Sequence, residues 1–300
     1  MKTNKTGKYS AFTNSINALN ILYLPALILF IMFIFLPFFQ GLLISFKEWD
    51  GYSPNYHWVG FDKYITMFSD SNFYIAVKNT FIYGGVSTLF QNIFGLLLAI
   101  LLDQKLKGEK IIRTIVYLPV VISAVIMGYI WYFFFKYNGG AINDVINLFG
   151  VENVDWLAKG SRGVLIITFV NIFQYVGSSM VIYLAGLQNI PKDYFEAADI
   201  DGAKVWTKFK NVTIPLLMPA ITFSVVWNLI GGLKLFDVIQ AMTGGGPQYD
   251  SASISTMMLQ VYFVRMDAGY AAAMGNFMFV VISILSIFAL NYLRSKEVEM

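Results

Sequence analysis

Six long apolar runs restrict the fold of this sequence more than any other feature. Each holds about 20 or more mostly apolar residues, the length that an α-helix needs to cross a bilayer's hydrocarbon core. In water, such runs would expose more apolar surface than a soluble monomer tolerates. They therefore predict an all-α polytopic membrane protein with six transmembrane helices, at 21–46, 75–102, 115–135, 164–187, 216–242 and 271–293.

Composition agrees with lipid as the main solvent and excludes several kinds of site. Hydrophobic residues make up 57% of the chain and charged residues 13%, against about 25% charged in soluble domains. The chain has no cysteine and a single histidine, His57, which excludes disulfides, thiolate ligands and multi-histidine metal sites. No metal site is predicted, and a net charge of +3 without a basic cluster gives no sign of nucleic acid.

The third and fifth runs are both expected to form continuous helices. Pro119 lies near the start of the third predicted helix, where the first-turn N–H groups have no helical partner, so it should cost little. The fifth helix should carry Lys234 and Asp237 on one span, three residues apart. Between the first two runs, apolar residues within 60–69 recur at helical spacing and predict a short helix on the membrane surface.

Lysine and arginine predict the orientation of the spans. Thirteen of these cations lie in the two tails and in the connections after the second and fourth runs, against seven in the other three connections. Because cytoplasmic loops carry the excess of positive residues, both termini should be cytoplasmic. With no internal repeat or linker, the expected organisation is a tail at 1–20, one membrane domain at 21–293 and a tail at 294–300.

The longest cytoplasmic connection, residues 188–212, predicts two short helices joined by a bend. Pro191 suits a first helical turn, and Asp193 and Glu196 complement the positive end of the helix dipole. Gly202 then permits a bend. Such an element would transmit motion between a soluble partner and the spans. The residues alone leave open the alternative of a well-ordered loop without a coupling role.

This connection resembles the EAA loop of binding-protein-dependent ABC importer permeases. The spacing agrees over about 24 residues, at Glu196-Ala197-Ala198, Asp201-Gly202-Ala203 and Ile214-Pro215-Leu216-Leu217 with Pro219. Other stretches resemble the carbohydrate branch of the family, on the subunit type of the maltose permease's larger partner: Trp58–Tyr64, Leu184–Pro191, Lys234–Asp237 and Thr243–Pro247. The resemblance covers about residues 20 to 293, without that subunit's extra N-terminal helices and external domain.

The resemblance implies a type I ABC importer permease fold and a function as one permease subunit of an ATP-driven carbohydrate importer, with oligosaccharides favoured. It implies that Glu196 pairs with a basic group of a separate ATPase, that Ala197 and Ala198 permit close approach, and that Gly202 forms the bend. Asp201 and Ala203 complete the motif.

The same resemblance implies partners and a location. These are a second homologous permease subunit, two ATPase subunits and an extracytoplasmic solute-binding protein, in a bacterial or archaeal cytoplasmic membrane. The sequence G-x-x-x-x-G-K-[ST] does not occur, so the chain is not expected to bind nucleotide in a P-loop or to act as an enzyme. Mg-ATP would bind to the partner ATPase, and no cofactor is expected here.

Polar residues within the fourth and fifth runs are candidates for a substrate pathway. Helical spacing places four of them on one face of the fourth span, and two follow on the fifth: Asn171, Gln174, Tyr175 and Ser178, then Ser224 and Asn228. Because lipid offers no hydrogen-bond partners, these groups must face protein or water. Hydroxyl and amide groups beside an aromatic ring suit a sugar. The open alternative is hydrogen bonding between helices.

Lys234 and Asp237 are candidates for an external gate, the alternative being a structural pair near the outer interface. They also bear on a second function class, an ion-coupled secondary transporter, which would place ionisable residues mid-membrane. Apart from these two, the spans hold almost none. A membrane-embedded enzyme would need a nucleophile–base pair or a metal cluster, and the sequence offers neither. A co-purifying P-loop subunit would distinguish the importer from both.

Overall fold

The computed structural model describes residues 23–104 and 107–298. The predicted tail at 1–20, the cation Lys105 and the last two residues lie outside these ranges. The helices are, in chain order, α1 (Leu24–Ile44), α2 (Asp62–Ser69), α3 (Ser71–Asp103), α4 (Glu109–Val121), α5 (Ala124–Phe135), α6 (Ala141–Asn147), α7 (Gly160–Gln188), α8 (Asp193–Ile200), α9 (Val205–Leu233), α10 (Asp237–Met242), α11 (Ile254–Phe263) and α12 (Ala268–Arg294).

Within the described residues, five helices are long and apolar enough to cross a membrane: α1, α3, α7, α9 and α12. The pair α4 and α5 makes a sixth span if it is counted as one broken helix. The prediction of an all-α membrane protein with six spans is therefore confirmed, with the third span formed by two helices. A two-stranded ribbon, β1 (Lys47–Glu48) and β2 (His57–Trp58), pairs antiparallel between α1 and α2.

The third span is not one continuous helix, and that expectation was wrong. The helix begins at Glu109 rather than Ile115, so Pro119 lies near its C-terminal end instead of in its first turn. Proline weakens a helix there because it removes an N–H and crowds the preceding turn. The chain becomes extended at Ile122, and α5 leaves at 99° to α4.

The fifth span is also broken, which corrects the expectation of one helix over 216–242. Helix α9 ends at Leu233 and α10 begins at Asp237. Glycine is a poor helix former, and Gly232 lies directly against the backbone of α3, where an added Cβ would be 2.9 Å from Cα of Gly84. Lys234 and Asp237 therefore flank a break instead of sharing one helix.

Close backbone contacts hold the spans around α7. An added Cβ on Gly95 of α3 would lie 2.5 Å from Cβ of Ser179, and one on Gly177 would lie 2.4 Å from the carbonyl oxygen of Val116 in α4. Small residues of this kind let membrane helices approach closely. Tyr83, on α3, is fully buried in this packing.

Helix α11 is a short, largely buried helix that the apolar runs do not predict, since it has only 10 residues. Its first turn carries a capping box: the Ser253 hydroxyl accepts from the N–H of Thr256, and Thr256 Oγ1 accepts from the N–H of Ser253. Ser253 Oγ also donates to the carbonyl oxygen of Leu235 at 2.8 Å. One side chain therefore starts α11 and satisfies a carbonyl at the break after α9.

Ser253→Ala is predicted to destabilise the protein by about 1–2 kcal/mol, because it removes a helix cap and leaves the buried Leu235 carbonyl without this donor. The matched control is Ser255→Ala in the same turn, since the Ser255 hydroxyl contacts only the sulfur of Met278, at 3.4 Å. Thermal unfolding of the purified transporter measures both variants. Equal stabilities of the two variants would contradict the role of Ser253 in stabilising α11 and the break after α9.

Candidate functional site

The loop after α7 forms the two helices and the bend that the sequence predicts. Helix α8 begins at Asp193, with Glu196 in its first turn, and both side chains are exposed. Gly202 has a φ of +72°, and an added Cβ there would touch nothing within 4 Å. Glycine is needed here for its left-handed backbone rather than for space.

Short-range bonds close this turn and connect it to the next helix. The N–H of Ala203 donates to the carbonyl oxygen of Ala198 at 2.9 Å. Lys208 Nζ lies 2.7 Å from Asp199 Oδ1 across the bend, which joins α8 to the first turn of α9. Helix α9 then continues through one π-helical turn, Phe209–Thr213, as far as Leu233. The loop and the fifth span therefore form one connected element.

Three apolar side chains beside the bend are exposed. Ile200 is 87% exposed, Val205 80% and Trp206 71%. Isolated apolar residues are common on protein surfaces, but three such residues within seven positions, next to an exposed acidic helix, are typical of an interaction site. Glu196, Ala197, Asp201 and Gly202 are exposed alongside it.

A cavity of about 290 Å³ lies where the two helix breaks approach α7. Its lining combines side-chain amides, aromatic rings and one charge of each sign: Gln91, Ala124, Asn171, Tyr175, Trp227, Asn228, Ile230, Gly231, Gly232, Lys234, Leu235, Phe236 and Asp237. Five residues singled out in the sequence are brought together here: Asn171, Tyr175, Asn228, Lys234 and Asp237.

Three predicted pathway residues do not line this cavity. Gln174 Nε2 donates to the carbonyl oxygen of Ile122 at 3.1 Å, so its amide braces the break between α4 and α5. The hydroxyl of Ser178 donates to the carbonyl oxygen of Tyr175 within its own helix, at 2.7 Å. Ser224 is completely buried. Helical spacing identified a polar face but not which neighbour each member meets.

Gln91 and Trp227 also line the cavity, although the sequence pattern did not identify them as pathway candidates. Gln91 Nε2 donates to the backbone carbonyl of Asn171 at 2.9 Å, and Asn228 Nδ2 donates to Ser179 Oγ at 2.7 Å. These bonds fix amide groups of α3 and α9 against α7. The adjacent amides Gln91 and Asn92 in the apolar run of α3 are the signal that would have identified Gln91, because such groups must find protein or water.

Lys234 and Asp237 are both exposed at the cavity rather than paired. Among the described residues the ion pairs lie elsewhere, and none joins these two. A cation and an anion at opposite ends of a break leave the cavity without a strong excess of either sign. The described part of the chain also contains no cluster of three or more metal-ligating side chains.

Comparison with known proteins identifies the family. The family model described as "Binding-protein-dependent transport system inner membrane component" matches residues 91–297, more than half of the chain. The chain belongs to this family. As an inner membrane component of a transport system, this permease is a multi-pass membrane protein, and the expectation that it is not itself an enzyme is confirmed.

Relatives of the permease agree with the predicted carbohydrate branch. The trehalose/maltose transport system permease protein of Thermococcus litoralis is 31% identical, over 82% of this chain and 83% of that protein. The crystal structure of a bacterial ABC transporter that imports the acidic polysaccharide alginate includes a chain with 28% identity and a TM-score of 0.82, covering 96% of this chain and 99% of that one. The predicted type I importer permease fold is thereby confirmed.

A second structure shows a transporter of this kind with a partner. It is the alginate ABC transporter in complex with its periplasmic protein bound to an alginate pentasaccharide, with 29% identity, a TM-score of 0.78, and coverage of 91% and 92% of the two chains.

Proposed function

We propose that this permease forms half of the translocation pathway of an ATP-driven oligosaccharide importer and is coupled to a separate ATPase through Glu196–Trp206. The observation that carries the proposal is the continuity of α9. This single helix, about 43 Å long at 1.5 Å per residue, runs from the exposed Val205 to Gly232 at the cavity.

The coupling proposal rests on how firmly the loop is joined to this helix. The Lys208–Asp199 bridge and the Ala203–Ala198 bond hold α8 against the start of α9. A displacement of α8 by a soluble partner would therefore move α9 along its whole length. The exposed Ile200 and Trp206 give that partner an apolar contact beside the acidic Glu196.

The oligosaccharide proposal rests on the chemistry of the cavity. Amides of Gln91, Asn171 and Asn228 supply hydrogen-bonding groups, and Tyr175 and Trp227 supply aromatic faces for a sugar ring. The single cation Lys234 beside Asp237 does not favour a strongly anionic solute. The name of the trehalose/maltose relative supports an uncharged oligosaccharide.

Partners and orientation follow from the same proposal. Six spans form half of a pathway in this family, so a second homologous permease subunit is required, with two ATPase subunits on the cytoplasmic side. An external solute-binding protein would deliver the sugar, as the alginate complex suggests. Both termini are proposed to be cytoplasmic, and the distribution of lysine and arginine supports the same side for the Glu196 loop.

Glu196→Lys is predicted to weaken association with the ATPase by roughly 30-fold, equivalent to about 2 kcal/mol, because it sets like charges against each other. Sugar uptake should fall with it. Co-purification of the ATPase and uptake into intact cells measure the two effects.

Asp193→Lys is the matched control for Glu196→Lys, since it makes the same charge change in the same helical turn. It should leave most of the ATPase association intact. Normal assembly and uptake in Glu196→Lys would contradict the coupling role. Equal losses in both variants would show that the charge of the turn matters and Glu196 itself does not.

Tyr175→Ala is predicted to reduce sugar uptake several-fold without reducing assembly, because it removes an aromatic face from the cavity. Ser178→Ala is the control, as it changes the next turn of the same helix away from the cavity. Uptake of an oligosaccharide panel, normalised to the assembled complex, makes the comparison. Wild-type kinetics in Tyr175→Ala would exclude this cavity from the pathway.

A further inference from the structure

Helix α2 and the residue before it, Phe61, present three different faces. Tyr64 and Met67 point into the protein: Met67 is fully buried, and the Tyr64 hydroxyl bonds with Ser45 Oγ at 2.9 Å and with Asn276 Nδ2 at 3.2 Å. A second face is polar and exposed, and a third is apolar and exposed. The polar face consists of Asp62, Thr66 and Ser69, and the apolar face of Phe61, Ile65 and Phe68.

The apolar face is unusually open for such large side chains. Phe61 is 68% exposed, Ile65 62% and Phe68 50%. Their spacing of four and three residues aligns them in one stripe along the helix. A helix with a buried, a polar and an exposed apolar face suits a boundary between three media: protein, water and lipid.

The position of Phe277 along α12 gives the depth of this stripe in the membrane. The rings of Phe68 and Phe277 lie 5.9 Å apart between centroids. Phe277 lies about 24 Å from Leu293, the end of the apolar run in α12, at 1.5 Å per residue. Since a bilayer's hydrocarbon core is about 30 Å thick, Phe277 lies within that core, and Phe68 reaches its boundary.

The ribbon before α2 extends the same surface with interfacial residues. Trp58 is 61% exposed and Tyr56 45% exposed. Lys47 Nζ lies 3.8 Å from the centre of the Tyr56 ring and 4.9 Å from that of Trp58. Tryptophan and tyrosine are enriched at the headgroup level of membranes, where a lysine ammonium also finds phosphate.

Charged contacts on the inner side of α2 fix this helix to the rest of the protein. Lys63 Nζ lies 2.9 Å from Asp267 Oδ2, and Asp70 accepts from the Tyr270 hydroxyl at 3.0 Å. Both tie α2 to the N-terminal end of α12. These charges are directed away from the apolar stripe, so nothing ionic interrupts it.

We propose that residues 56–69, the aromatic shelf, insert their apolar stripe into the headgroup–acyl boundary of the bilayer and hold the end of α12 at a fixed depth. The proposed orientation assigns this contact to the outer leaflet, but the contact itself does not depend on the direction of transport or on the substrate. The occupant is phospholipid, not the solute-binding protein or the second permease subunit.

The natural absence of cysteine permits a direct test by spin labelling. Ile65→Cys and Thr66→Cys, each labelled with a nitroxide, place one probe on the apolar face and one on the polar face of the same helix. The assembled transporter, with reactive cysteines of its other subunits replaced, is reconstituted in phosphatidylcholine vesicles. Collision rates with oxygen, which concentrates in lipid, and with a water-soluble nickel chelate are then measured.

The proposal predicts that the ratio of oxygen to nickel accessibility is several-fold higher at position 65 than at 66. Equal ratios would place the shelf in water and overturn the proposal. Protection of position 65 from both reagents would also overturn it, because a protein would then cover the stripe. Phe68→Cys, labelled in the same way, gives a second reading if the label at position 65 disturbs folding, and the same high ratio is expected there.

Discussion

The structure depends on one constraint: inside a bilayer, every backbone N–H and C=O group must find a partner within the protein. The continuous spans meet it through their own helical bonds. The two breaks do not, and at each of them a side chain from another part of the chain donates to a carbonyl of the break. Gln174 donates to Ile122 at the first break, and Ser253 donates to Leu235 at the second. The rest of the fold is arranged so that these donors are in reach.

Irregular backbone at membrane depth is tolerated where it is buried in protein or borders a cavity. Both breaks meet at the same cavity, which takes Ala124 from beyond the first break and Leu235 from within the second. Breaking a span costs helical hydrogen bonds. In return, the cavity is lined by backbone, by charges of both signs and by aromatic faces, which a straight apolar helix cannot present. The cavity is therefore the proposed site of substrate passage, and α9 connects it to the Glu196 loop.

The sequence predicts some of these features and not others, for physical reasons. Hydropathy finds the spans because the bilayer demands length and apolarity, and Gly202 marks its bend because few residues adopt its backbone. The sequence does not predict the first break, because the effect of Pro119 depends on where the helix starts. A proline is harmless in the first turn of a helix and disruptive near its C-terminal end. The sequence does not predict the second break, because the pair Gly231-Gly232 alone does not show that Gly84 of α3 lies against Gly232. Likewise, spacing placed Gln174 on a polar face, but only the fold shows that it faces Ile122 and not the cavity.

Capture of the partner at the Glu196 loop tests the central claim, that this permease is driven through that loop by a separate ATPase. Ala197→Cys, exposed on α8, would carry a photoactivatable cross-linker in the native complex. Leu148→Cys, 83% exposed in the connection on the proposed opposite side, is the reference position. The account predicts that a subunit containing a P-loop is captured from position 197 and not from 148. Capture of that subunit from 148 alone, or an assembled complex that yields no such adduct from 197, would contradict it.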